Sequence, residues 1–170
     1  MSREILLSTV ILAATAASPV GLADDASRQE LVRERSADVM PFDLKATTHV
    51  FIKTQSGGVQ RVVAKEASDA EQTQLIRTHL KNLVARFRRG DFSGPAHVHG
   101  TGMPGLAALK AATPGELRIN YHDVAAGGEV EYASDRPKVV DAVHQWFDAQ
   151  LVDHGPDAVP GHDHSMHSDH

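Results

Sequence analysis

Cysteine is absent from the 170-residue chain. That excludes a disulfide framework, a thiolate nucleophile and any Cys-type zinc or iron–sulfur site. An excess of positive charge is missing as well. The formal net charge is −5, so the basic footprint of a nucleic-acid-binding protein is not there. Familiar enzyme signatures are also lacking: no glycine-rich phosphate loop ending in Lys-Ser/Thr, no G-x-S-x-G and no H-E-x-x-H. Beyond the N-terminus no apolar run is long enough for a membrane span of roughly 30 Å. What the chain does have is 11 histidines, within an otherwise ordinary globular composition of 41% hydrophobic and 23% charged residues.

The N-terminus "MSREILLSTVILAATAASPVGLADD" opens with Arg3, runs apolar from Ile5 to about Ala17, and closes on Gly21 and Ala23 before two aspartates. This is the layout of a secretory signal peptide, with cleavage expected after Ala23. The mature protein is then expected to be periplasmic or secreted, with no membrane attachment after cleavage.

The domain plan has four parts: a signal peptide at 1–23, a polar N-terminal segment at 24–43, one α+β domain at 44–155 and a flexible His-rich tail at 156–170. "THVFIKTQ" and "VQRVVAKE" are β-rich runs around "SGG", which predicts a hairpin turning at Gly57 and Gly58. "GELRINYHDV" and "GEVEYAS" repeat the pattern around Ala126-Gly127-Gly128. Each hairpin is followed by an amphipathic helix. The first has Ser68 and Glu71 as a capping box, an inward stripe of Leu75, Ile76, Leu80, Leu83 and Phe87, and a stop at Gly90. The second has Asp135 as its cap, with Val140, Val143, Phe147 and Leu151 inward. A short helix is expected near Pro104. The fold class is α+β: two β-hairpin–helix units forming an antiparallel sheet with helices packed on one face, and a weak internal repeat.

The chemistry-bearing residues are histidines. In "GDFSGPAHVHGTGMPGL", His97 and His99 share one face if the loop is extended, and Met103 adds a thioether. Imidazole plus thioether, without nearby carboxylates, favours copper, with zinc or nickel as the other candidates. His79 and His144 lie on or beside the inward stripes of the two helices and are candidate further ligands. His49 and His122 sit one on each hairpin. The pairs His122-Asp123 and Asp153-His154 read as poor dyads, because adjacent residues rarely face one another in a regular element. The tail "HDHSMHSDH" places His162, His164, Met166, His167 and His170 in a metal-collecting composition.

Three stretches, "ADVMPFDLKATTHVF", "GDFSGPAHVHGTGMPGL" and "WFDAQLVDHGPDA", together resemble a family of small exported bacterial proteins often labelled aspartate carbamoyltransferase. The resemblance covers roughly Ser36 to Ala158 and implies export and a common fold. The label implies carbamoyl transfer from carbamoyl phosphate to aspartate. The Ser-Thr-Arg-Thr-Arg phosphate-binding string of the cytosolic transferase is absent, so no catalytic residue carries over. The residues themselves point first to a periplasmic metal-binding or delivery protein, with a metal-handling protein as partner. The alternatives are noncovalent haem, an enzyme using the same His-lined pocket, or a small-ligand binding module.

Overall fold

The computed structural model describes residues 20–162. The apolar leader up to residue 19, and His164, Met166, His167 and His170, lie outside the described residues.

Two hairpins form the centre. Strands β1 (Thr47–Thr54) and β2 (Gly57–Ala64) make the first, and β3 (Arg118–Val124) and β4 (Gly127–Ala133) the second. A short strand β5 (Ala158–Pro160) completes a five-stranded sheet in the order β3-β4-β2-β1-β5. Alternate residues of each strand point to one face. Thr47, His49 and Phe51, then Gln60 and Val62, then Val130 and Tyr132, all turn inward and are buried. Helices α2 (Ala70–Phe87) and α5 (Pro137–His154) cover that face, and the short α4 (Leu106–Ala111) packs on α5. The fold is α+β, with helices packed on the sheet.

The hairpins share one register. Shifting every residue of the first by 70 positions, as from Gly57 to Gly127, reproduces the pairing of the second. Strands β2 and β4 then pair antiparallel about a local dyad, with Gln60 opposite Val130. The internal repeat is thus visible in backbone pairing, where side-chain identity conceals it.

The glycine pairs do not make the turns. The turns are Gln55–Ser56 and Ala125–Ala126, and the glycines lie inside β2 and β4. Close approach explains them. A Cβ on Gly57 would collide with the Tyr132 carbonyl oxygen, and one on Gly127 with the Val62 carbonyl oxygen, the same contact 70 positions apart. Gly58 and Gly128 likewise lie against the rings of Phe147 and Tyr121.

Helix ends differ from expectation in detail. The cap of α2 is Asp69, whose carboxylate accepts from the Gln72 amide at 3.0 Å, while Ser68 bonds to Glu66. Asp135 does not cap α5, because Arg118 engages it at 2.9 Å. The Ser134 hydroxyl takes the Arg136 amide instead, at 3.0 Å. On α2 the buried stripe is Ile76, Leu80, Val84 and Phe87, with Leu75 and Leu83 half-buried. On α5 it is broader than the sequence suggests and runs through Val139, Val143, Trp146, Phe147 and Gln150 to Asp153 and His154.

Both flanks of the expected domain are structured. Helix α1 (Val20–Ser36) occupies much of the polar N-terminal segment and packs on α5. Its Gln29 amide donates to the Val152 carbonyl at 3.0 Å. The tail begins later than Pro156. Gly155–Asp157 form a 3-10 turn, β5 pairs parallel with β1, and the Gly161 amide donates to Phe51 at 2.9 Å. The sheet is therefore antiparallel except at this edge, where three residues cover groups β1 would otherwise leave unpaired.

Candidate functional site

Strand parity turns His49 inward, and burial leaves it 1% exposed. Its ring stacks on His154, at the end of α5, with centroids 5.1 Å apart and planes 8° from parallel. His99 meets His154 edge-on, also at 5.1 Å. His99 belongs to a short helix, α3 (Ser93–His99), and its Nδ1 lies 2.8 Å from Asp153 Oδ2. Arg28 of α1 grips the same carboxylate with two nitrogens, and its Nη2 donates to Asp153 Oδ2 at 2.7 Å. Its guanidinium also reaches the His99 carbonyl at 3.3 Å. Four elements, β1, α1, α3 and α5, thus meet at three imidazoles and one ion pair.

The electrostatics follow from the geometry. Burial alone would raise the Asp153 pKa, but hydrogen bonds from His99 and Arg28 outweigh it and hold the carboxyl below its usual range. An ionised carboxylate only accepts, so His99 Nδ1 carries a proton and donates it to Asp153 Oδ2. Burial, assisted by repulsion from His79 and His99, pushes His49 down to about 4. Burial, with His49 and His99 adding repulsion, lowers His154 well below its ordinary value. Burial and the Arg86 charge lower His79 to about 4. These three rings are neutral at physiological pH.

Behind the rings is a cavity of about 30 Å3, lined by His49, His79, His99 and His154 together with Gln60, Gln150, Trp146 and the apolar Phe42, Val62 and Val98. An outer groove of about 270 Å3 adjoins it, sharing Val39, His79, Leu83, Phe87, Gly94 and Pro95. Two polar atoms on the inner wall make no hydrogen bond among the described residues: His49 Nδ1 and Trp146 Nε1. A backbone hydrogen bond ties the His49 ring to Asp157. Nε2–H is then the donor to that carbonyl, and Nδ1 presents a bare acceptor. Trp146 Nε1–H is a bare donor. Each would cost about 1–3 kcal/mol if nothing met it.

The sequence-derived candidates are dispersed. Residues 93–99 are helical, so His97 and His99 point to different sides instead of sharing a face. His97 is exposed and lies 3.0 Å from Asp38, whereas His99 is buried against Asp153. Met103 is packed in the hydrophobic core. His144 donates from Nε2 to the carbonyls of Thr54 at 3.0 Å and Gly57 at 2.8 Å, holding the first turn to α5. His79 does line the cavity and meets Phe42 edge-on at 5.5 Å. His162 is exposed. Among the described residues, no three histidine or carboxylate side chains stand so that they could hold a metal ion.

The sequence reading does not reach Arg28, and it weighs Asp153 and His154 only as a dyad with each other. Asp153 is held by His99 and Arg28, and the His154 ring packs on those of His49 and His99. The signal was the i, i+3, i+4 series Val143, Trp146, Phe147, Gln150, Asp153, His154, a stripe that turns from apolar to polar at its C-terminal end. Arg28 gave no comparable sign.

Comparisons with protein-family models, curated proteins and solved structures found no match for this chain.

Proposed function

We propose that this protein binds a small, neutral, largely apolar ligand, with the His-lined cavity and its outer groove as the site. The observation that carries this reading is an unpaired acceptor and an unpaired donor on two residues that line one cavity, which adjoins a mainly apolar groove. Neutrality of the ligand follows from the lining. Arg28 is committed to Asp153, and Arg86 to Asp91 and Ser93, so among the described residues an anionic head would find no free cation at the inner wall. The groove's volume of about 270 Å3 is close to the lower end of ordinary ligand pockets, which favours a compact molecule over a haem.

Gly94 stands at the junction of cavity and groove, and a Cβ there meets only Val39 at 3.6 Å. Leucine at this position is designed to fill the passage, and circular dichroism checks that the variant folds. Ligand-observed NMR of the mature chain against neutral alicyclic and aromatic fragments tests the reading. Binding to the native chain and not to Gly94→Leu is expected. If no fragment binds, or if binding survives the substitution, the reading falls.

Capture of copper, zinc or nickel by the C-terminal histidines is a second and separate proposal, favoured by the sequence "HDHSMHSDH". Such a tract would exchange its ion readily with a metal-handling partner. Export to the periplasm or beyond, with cleavage after Ala23, is also proposed. It is supported by the leader composition and by the resemblance of residues 36–158 to exported proteins.

A further inference from the structure

His49 Nδ1 and Trp146 Nε1 belong to two residues that line one small cavity, and they ask for complementary partners. The first needs a hydrogen to accept and the second a lone pair to donate to. About 30 Å3 is room for one or two water-sized groups, not for a branched polar head. A hydroxyl serves both atoms at once: its O–H donates to Nδ1 and its oxygen accepts from the indole N–H. An ether or ketone oxygen serves only the indole. A hydrocarbon serves neither and leaves both atoms buried and bare. A carboxylate brings a charge with no counter-ion. The low proton affinity of His49, imposed by burial, keeps Nδ1 an acceptor across physiological pH.

We infer that the ligand class is an alcohol, its hydroxyl seated between His49 Nδ1 and Trp146 Nε1 and its apolar body in the outer groove beside Leu83, Gly94 and Pro95. This rests on the ligand-binding reading above and deepens it. The rest of the site supports the assignment. Gln60 is held by the Tyr132 hydroxyl at 2.9 Å, and His99 is held by Asp153, so neither must move to admit the head group. The inner wall is pre-organised.

The chain has a single tryptophan, and it lies in the site, so its indole reports directly. The test titrates the mature full-length chain with cyclohexanol, cyclohexyl methyl ether, methylcyclohexane and cyclohexanecarboxylate, four molecules with one body and different heads. Readouts are Trp146 fluorescence and the indole N–H resonance. Cyclohexanol is expected to bind and move the indole resonance, with the other three weaker by about tenfold or more, as the loss of a buried hydrogen bond requires. His49→Phe should narrow the gap between alcohol and ether, whereas Trp146→Phe, followed by ligand-observed NMR because it lacks the indole, should weaken both and leave the gap in place; each variant is checked for folding by circular dichroism. Equal binding of the alcohol and the ether overturns the hydroxyl assignment while leaving the pocket in place. Absence of binding by every compound overturns both. An indole resonance already showing a hydrogen bond to slowly exchanging water, which cyclohexanol fails to displace, makes the two atoms the seat of a structural water and also overturns the assignment.

Discussion

Acid should destabilise this fold through His49 well before the carboxylates are protonated. Buried at 1% exposure between Phe42, Phe51 and His154, the ring is pushed from 6.5 to about 4. Above pH 6.5 it is neutral in both folded and unfolded chains, and its contribution is fully present. As pH falls from about 6.5 to about 4 the unfolded chain takes up a proton that the folded chain refuses, so stability drops. At 1.36 kcal/mol per unit, the full loss is about 3 kcal/mol, of which about 2 kcal/mol falls between about pH 7 and pH 5. His79 and His154 are shifted the same way and add to the slope. Urea melts followed by Trp146 fluorescence and circular dichroism at stepped pH measure it. The variant His49→Phe places a ring among rings and removes one of the three proton acceptors, so its curve should be shallower by about 1 kcal/mol per pH unit. A native stability that is flat from pH 7 to pH 5, or a slope identical in the variant, would refute the reasoning.

Other outcomes are expected. Gly105→Ala, at φ +76° and with its Cβ driven into the Ala142 carbonyl, should cost at least about 2 kcal/mol in urea and lower the melting temperature. Asp153→Asn removes the charge that holds Arg28 and the proton of His99 Nδ1. A loss of about 2–3 kcal/mol is expected, with a changed His99 tautomer in 15N spectra; an unaltered tautomer would contradict the assignment. Truncation after His162 spares β5 and its Gly161 bond, so the melting temperature should hold while metal uptake by mass spectrometry falls. Truncation after Asp157 should instead lower the melting temperature, because Ala158 is buried against the core.

Periodicity made the two hairpins and two long helices legible, because alternation in "THVFIKT" and the Ile76–Leu80–Phe87 stripe each have a single burial solution. Local chemistry misled where two structures compete for the same residues. Double glycines suit turns, yet here they answer the close approach of β2 and β4, a tertiary fact. Glycines and prolines around His97 and His99 suggested an extended loop, but Pro95 sits in the first turn of a helix, where its missing amide costs nothing. The site was half legible. His79 and His99 were named, but as metal ligands, and His49 was noted without a role. The partners that give them meaning are distant in sequence, with Arg28 and Asp153 separated by 125 positions. No local pattern encodes such a meeting.

The common register of the hairpins also governs the order in which this chain can assemble. Within each hairpin the strands are joined by two residues, so pairing is local and fast. The halves join only when Gln60 meets Val130, and the far edge closes only when His49 meets Ala158. Those contacts must close long loops before they return any stabilisation. The cavity wall is assembled from widely separated pieces, His49 from an early strand and His154 from the end of the last long helix, while Arg28, from the helix that precedes the sheet, holds the carboxylate next to His154. A nascent chain that has not yet delivered residues 137–154 can pair the first hairpin only transiently and still has no pocket. Ring stacking of His49 on His154 therefore marks the completion of folding, not its beginning.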